Sequence, residues 1–185
     1  KALTGNSFTR TGYRFAGWAT SATGSVAYSD GESVKNLTAT DGATVTLYAK
    51  WSANTYTVKY NSNNGSGSMA SVGHTYDVEK ALSANTFRRT GYTFAGWSES
   101  TGGTATYADK QSGENLTATH GATVNLYAIW TANTYTIEYN ANGGAGTTSS
   151  GNHTYDVEKA LTSNGFTRTG YTFAGWATST TGSVV

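Results

Sequence analysis

Between Thr55 and Tyr60 polar and apolar residues alternate without a break, with Tyr56, Val58 and Tyr60 on one side and Thr55, Thr57 and Lys59 on the other. That period of two predicts a strand with one buried face, and the Asn/Ser/Gly-rich stretch 61–73 after it predicts a turn region. Tyr76 and Val78 alternate within His74–Ala81, which predicts a second strand, and Gly91-Tyr92-Thr93-Phe94-Ala95-Gly96-Trp97 opens at a Gly turn and predicts a third. In this third strand Tyr92 and Phe94 share a face while Trp97 has the opposite parity, unless Gly96 makes a bulge that returns Trp97 to the Phe94 side. The cleanest alternation runs from Ala122 to Trp130, placing Val124, Leu126, Ala128 and Trp130 inward. The segment 107–119 holds no period and reads as loop with at most one helical turn.

These patterns recur along the chain. Lys1-Ala2-Leu3 returns as Lys80-Ala81-Leu82 and as Lys159-Ala160-Leu161, and Phe15-Ala16-Gly17-Trp18 returns at Phe94–Trp97 and at Phe173–Trp176. The offset is 80 − 1 = 159 − 80 = 79 residues throughout, with no insertion. A period this long exceeds that of common solenoids, so each copy is expected to close its own small core, as beads on a string. Boundaries are expected at Trp51-Ser52-Ala53-Asn54 and Trp130-Thr131-Ala132-Asn133. On that division residues 1–54 are the C-terminal part of one unit, 55–133 a complete unit and 134–185 the N-terminal part of another.

Composition narrows the class. The 185 residues are 13% aromatic with 23 Gly, a mixture that favours strands and turns over long helices, and only 12% are charged. Net charge is +1 and the basic residues are scattered singly, so no continuous positive face for nucleic acid is expected. No apolar run approaches the length needed to span a bilayer. With neither Cys nor Pro, disulfides, thiolate metal sites and polyproline linkers are excluded.

The stretches Arg89-Thr90-Gly91-Tyr92-Thr93-Phe94-Ala95-Gly96-Trp97, Leu126-Tyr127-Ala128-Ile129-Trp130 and Tyr139-Asn140-Ala141-Asn142-Gly143-Gly144 resemble the internalin B-repeat, also called the Listeria-Bacteroides repeat, and the resemblance extends over the whole chain. It implies a small mainly β (α+β, β-grasp or ubiquitin-like) unit, found in tandem on secreted and surface-attached bacterial proteins as a spacer or adhesive segment without enzymatic activity. The longer 98–119 segment and the lack of Pro near the second strand depart from the family pattern.

Candidate chemistry is sparse. His74 and His153 are the only recurring base, with no nucleophile to nominate beside them, while His120 is replaced by Asp41 in the other copy. No paired-His or Asp-x-Asp-x-Asp-Gly spacing suggests zinc or calcium, no cofactor is expected, and Asp30, Asp77 and Asp109 are the acids left to consider. Trp18, Trp97 and Trp176 are candidates for stacking on a sugar ring; the competing reading makes Trp97 a core residue packed with Phe94 and Trp130. Lys80 keeps its identity in all three copies and is a candidate for an intramolecular Lys-Asn isopeptide bond, with Asp77, Glu79 or Asp109 as the accompanying acid. Asn-x-Ser/Thr triplets at Asn36, Asn64, Asn115 and Asn152 fit chance in so Asn- and Thr-rich a chain. Charged positions swap between copies, Lys35 against Glu114, Lys59 against Glu138 and Lys50 against Ile129, which argues against a repeated ionic ligand.

The resulting expectation is a non-enzymatic stalk or adhesive region at the bacterial cell surface, its partners being neighbouring repeats. Two alternatives stay open. One is a module that binds glycan or host protein through exposed aromatics, and the other is a subunit that assembles with like chains into a filament or surface layer.

Overall fold

The computed structural model describes residues 1–113 and 115–184. Its strands in chain order are β1 (Tyr13–Ala19), β2 (Tyr48–Ala53), β3 (Thr55–Asn61), β4 (Val72–Thr75), β5 (Lys80–Ala81), β6 (Tyr92–Ser98), β7 (Ser112–Gly113), β8 (Thr123–Ala132), β9 (Thr134–Ile137), β10 (Ala145–Gly146), β11 (Gly151–Thr154) and β12 (Phe166–Thr167). There is no helix among the described residues, so the mainly β expectation holds and its α component does not. In the 107–119 segment Lys110 and Asn115 take left-handed backbone angles, φ 56° and 60°, which a right-handed helical turn cannot include.

Contacts divide the chain into two compact units, one formed by Lys1–Arg88 with Phe94–Ile129 and the other by Arg89–Thr93 with the chain from Trp130 onward. The first contains a four-stranded sheet in the order β4-β3-β8-β6 and a separate antiparallel pair, β1 with β2. At the centre of the sheet β3 and β8 run parallel, with Val58 opposite Val124 and Tyr60 opposite Leu126. The two predicted alternations are therefore neighbours. Tyr56, Val58 and Tyr60 are buried with Val124, Leu126 and Ala128, and Leu82, Phe87 and Trp97 close the core over them.

The parity of Trp97 is settled by glycine. In β1 the register slips between Phe15, opposite Trp51, and Gly17, opposite Lys50, and Gly17 has φ 140°. Gly96 and Gly175 repeat that angle at 139° and 146°. The extra residue turns each Trp back onto the Phe three positions earlier, with ring centroids 5.0 Å apart for Phe15–Trp18 and 4.9 Å for Phe94–Trp97. Glycine is also required for space, because a Cβ on Gly96 would lie 2.6 Å from the Tyr107 carbonyl oxygen, whose segment bonds back to Trp97.

The predicted second strand ends earlier than its alternation implies. β4 stops at Thr75, and Asp77 adopts φ 56° in a turn held by Asn115, whose Oδ1 accepts the Asp77 N–H at 2.7 Å. Val78 is consequently 51% exposed, and Tyr76 lies in the turn beyond β4.

The second unit repeats these features in its own residues. β9 pairs with β11, aligning Tyr135 with His153, and β10 pairs with β12. Tyr139, Phe166 and Phe173 surround Trp176 at 4.4, 6.1 and 4.9 Å.

Trp97→Ala is expected to lower the unfolding free energy by about 3–5 kcal/mol, as removal of a buried aromatic does. Gly96→Ala, which changes no core volume, is expected to cost of order 1–3 kcal/mol through backbone strain and the Tyr107 approach. Urea denaturation followed by Trp fluorescence measures both.

Candidate functional site

The sequence-nominated residues lie apart and perform separate structural tasks. Trp97 is fully buried, its ring enclosed by Tyr60, Phe87 and Phe94 at 4.9, 6.1 and 4.9 Å, so neither face is open to a sugar. Trp18 and Trp176 are half-buried in matching aromatic clusters, Trp18 against Phe8 and Phe15. Lys80 is exposed and its Nζ donates to the Gly73 carbonyl at 2.8 Å; Lys159 does the same to Asn152 at 2.7 Å. In these two copies the lysine ties its own segment to a carbonyl within β4 or β11.

His74 is 3% exposed, stacked on Tyr56 at 5.5 Å and 21°, and neither ring nitrogen has a hydrogen-bond partner among the described residues. His153 stacks on Tyr135 in the same cross-strand position at 5.6 Å and 27°. A base must face the proton that it abstracts, and His74 faces the core. Burial holds its pKa below the ordinary 6.5, with the Lys80 charge adding to the effect. His120 is exposed, and its Nδ1 accepts the Thr55 N–H at 3.2 Å.

The three acids brace loops. Asp30 accepts the Asn6 N–H at 2.7 Å and Asp109 accepts the equivalent Asn85 N–H at 2.8 Å, one repeat apart. Asp77 accepts from the Asn115 side chain at 2.8 Å and from the Tyr13 hydroxyl at 2.9 Å. Among the described residues no three His, Asp or Glu side chains converge. One open groove of about 430 Å³ lies beside Tyr60, Asn63, Asn64, Met69, Phe87 and Tyr127. It is lined by amides, hydroxyls and two phenols and carries no charged side chain. Of its counterparts one repeat later, Asn64 becomes Gly143 and Met69 becomes Thr148.

The feature that does recur joins residues the strand periodicity had scattered. β2 passes into β3 through Asn54 alone, and β8 passes into β9 through Asn133 alone. In the first unit the Asn54 N–H donates to the Gly12 carbonyl and its own carbonyl accepts from the Tyr76 N–H, both at 2.8 Å. The Asn54 side chain, buried, donates to Ala118 O at 2.6 Å. Over this step the Tyr13 ring meets Tyr76 edge-on at 5.9 Å, its hydroxyl bonds Asp77, and the Arg10 guanidinium lies 3.7 Å above its centroid. Gly12 has φ 77°, and a Cβ there would overlap the Tyr76 ring.

The second unit contains the same arrangement. Asn133 donates to Gly91 O at 2.9 Å and accepts from Tyr155 N at 2.8 Å. Tyr92 meets Tyr155 at 5.8 Å and donates to Asp156 at 3.0 Å, with Arg89 3.7 Å above its ring. A Cβ on Gly91 would overlap Tyr155. The sequence signal was present, since Arg-Thr-Gly-Tyr at 10–13, 89–92 and 168–171 and Tyr-Asp at 76–77 and 155–156 keep the 79-residue offset. Nothing in a period of two reveals that they meet.

Bonding to a carboxylate keeps a phenol protonated, so the Tyr13 and Tyr92 pKa values lie above 10.0, through Asp77 and Asp156 respectively. Tyr107, donating to Glu99 at 2.6 Å, is pushed up to about 12 by that bond and by burial. In an ultraviolet titration Tyr107 is expected to ionise near that value, and Glu99→Gln is expected to bring it back toward 10.0. The sign for His74 is opposite in sense. Its folded pKa is depressed, so the unfolded chain takes up the proton first and stability is expected to fall as pH drops below about 6.5. Denaturation midpoints from pH 8 to 5 measure this, and His74→Phe is expected to flatten that part of the profile.

The model of the Listeria-Bacteroides repeat domain matches residues 1–50, 56–129 and 135–185. The short intervals between matches fall where one strand passes into the next. Two proteins of Evansella cellulosilytica are similar. One, described as a Gly-rich membrane protein, is 31% identical over 140 residues, covering 74% of this chain and 16% of its own length. The other, described as a membrane protein, is 31% identical over 158 residues, covering 79% of this chain and 21% of its own. The chain thus spans about a sixth to a fifth of these relatives. No solved structure matches it, and no helix of the described residues is long and apolar enough to cross a membrane. With the repeat model matched three times over nearly its full length, the chain belongs to the Listeria-Bacteroides repeat family.

Proposed function

We propose that this chain is a structural spacer or adhesive repeat region of a bacterial cell-surface or extracellular protein, without catalytic activity, whose working parts are the repeats themselves. One observation carries the reading: consecutive repeats are joined by a single residue, Asn54 or Asn133, that is hydrogen-bonded on both sides to the segments it joins. A linker this short, tied at its backbone, suits a part whose task is to set distance. Separation of the nominated side chains into local braces supports a role without catalysis. The description of the relatives as membrane proteins supports placement at the cell envelope.

Each repeat is read as a β-grasp-like unit. The first and last strands, β3 and β8, lie parallel at the centre, the second strand flanks the first, and the third flanks the last. The usual crossover helix has no counterpart among the described residues, and the 76–91 connection serves instead with β5 and two turns of side-chain-capped loop.

Small-angle scattering of chains carrying increasing numbers of the 79-residue repeat tests the spacer reading. The maximum dimension is expected to rise by roughly 30 to 40 Å per added repeat, the breadth of a domain of this size. A dimension that stays nearly constant as copies are added would sink it.

A further inference from the structure

The geometry points to a specific docking surface on each repeat, the Arg-Gly-Tyr face of residues 10–13, 89–92 and 168–171, whose partner is the Tyr-Asp turn of another copy of the same repeat. The inference rests on the spacer reading and adds to it the contact that fixes the register between consecutive copies. Four features make the surface selective. Glycine leaves a flat backbone onto which a ring from the other copy can close, and its positive φ, 77° at Gly12 and 75° at Gly91, sets the direction of the Tyr that follows. The Tyr ring meets the incoming Tyr edge-on, an arrangement that the ring quadrupoles favour. The hydroxyl reads a carboxylate at a fixed point, since Asp77 and Asp156 both sit in the left-handed region at φ 56° and 57°. Arg lies over the ring of the same Tyr.

Two copies of this contact, in different units, agree within 0.1 Å in ring separation and in hydroxyl-carboxylate distance, 5.9 and 5.8 Å, 2.9 and 3.0 Å. At the third copy Arg168 lies over Tyr171 at 4.2 Å and Gly170 keeps φ 78°.

The chain has no cysteine, so paired spin labels can be introduced as Thr20→Cys and Ser71→Cys, both exposed and on either side of the first junction. Pulsed dipolar spectroscopy on the full chain is expected to give one narrow distance distribution. Arg10→Ala with Tyr13→Ala is expected to at least double its width, and Tyr13→Phe, which keeps the ring and removes only the hydroxyl, is expected to broaden it less. Trp97 fluorescence reports whether each variant is folded, and Tyr13→Phe decides the matter if the double variant is not. A broad distribution in the parent chain, or a width that the substitutions leave unchanged, overturns the proposal. The second result would mean that the strand-to-strand connection alone holds the register. The spacer reading fails separately, in the scattering series, because a loosely jointed string still lengthens as copies are added.

Discussion

A repeat of 79 residues without cysteine, and with no helix among its described residues, closes its core around one large side chain, and the residue before each Trp decides whether that is geometrically allowed. Strand pleating alone would aim Trp97 away from Phe94. The Phe-Ala-Gly-Trp slip, seen in the register of β1 against β2, returns the indole to the buried face, where it meets Phe94, Phe87 and Tyr60. Because Gly96 has no side chain, the 105–107 segment can approach and bond to Trp97 from the far side. Sheet, crossover and loop thus converge on one aromatic. The indole N–H of Trp97 has no hydrogen-bond partner among the described residues, which marks the ring as chosen for volume rather than for its donor.

The central strands were legible because their alternation is a direct image of burial. Tyr56, Val58 and Tyr60 in β3 and Val124, Leu126 and Ala128 in β8 are buried as their parity required. Alternation misled at Tyr76 and Val78, where the next residue in line, Asp77, prefers a left-handed turn stapled by Asn115 over a continued strand. The junction was illegible for a different reason. Tyr13 bonds a residue 64 positions away, and pattern within a strand carries no information about a partner at that separation. Repetition of Arg-Thr-Gly-Tyr marked these residues as retained without saying what they touch.

Several side chains that hold backbone keep their identity between copies. Lys80 and Lys159 cap a carbonyl, and Asp30 and Asp109 cap an N–H, in equivalent places. Lys59, which faces solvent from β3, becomes Glu138 in the next copy. The pairs Tyr56–His74 and Tyr135–His153 are kept as well, since their stacking spans the same cross-strand position in both copies.

The parallel pairing of β3 with β8 bears on how a repeat responds to tension. A pull along the chain enters at Thr55, where β3 begins, and leaves at Ala132, where β8 ends. Because these strands are neighbours in register from Thr57 opposite Thr123 to Asn61 opposite Tyr127, the load acts along them in opposite directions, as shear. All the rungs between them then resist together, whereas a hairpin pulled at its open end would yield one rung at a time. An ordinary-sized sheet is in this way disposed to bear force along the line that joins the start of β3 to the end of β8.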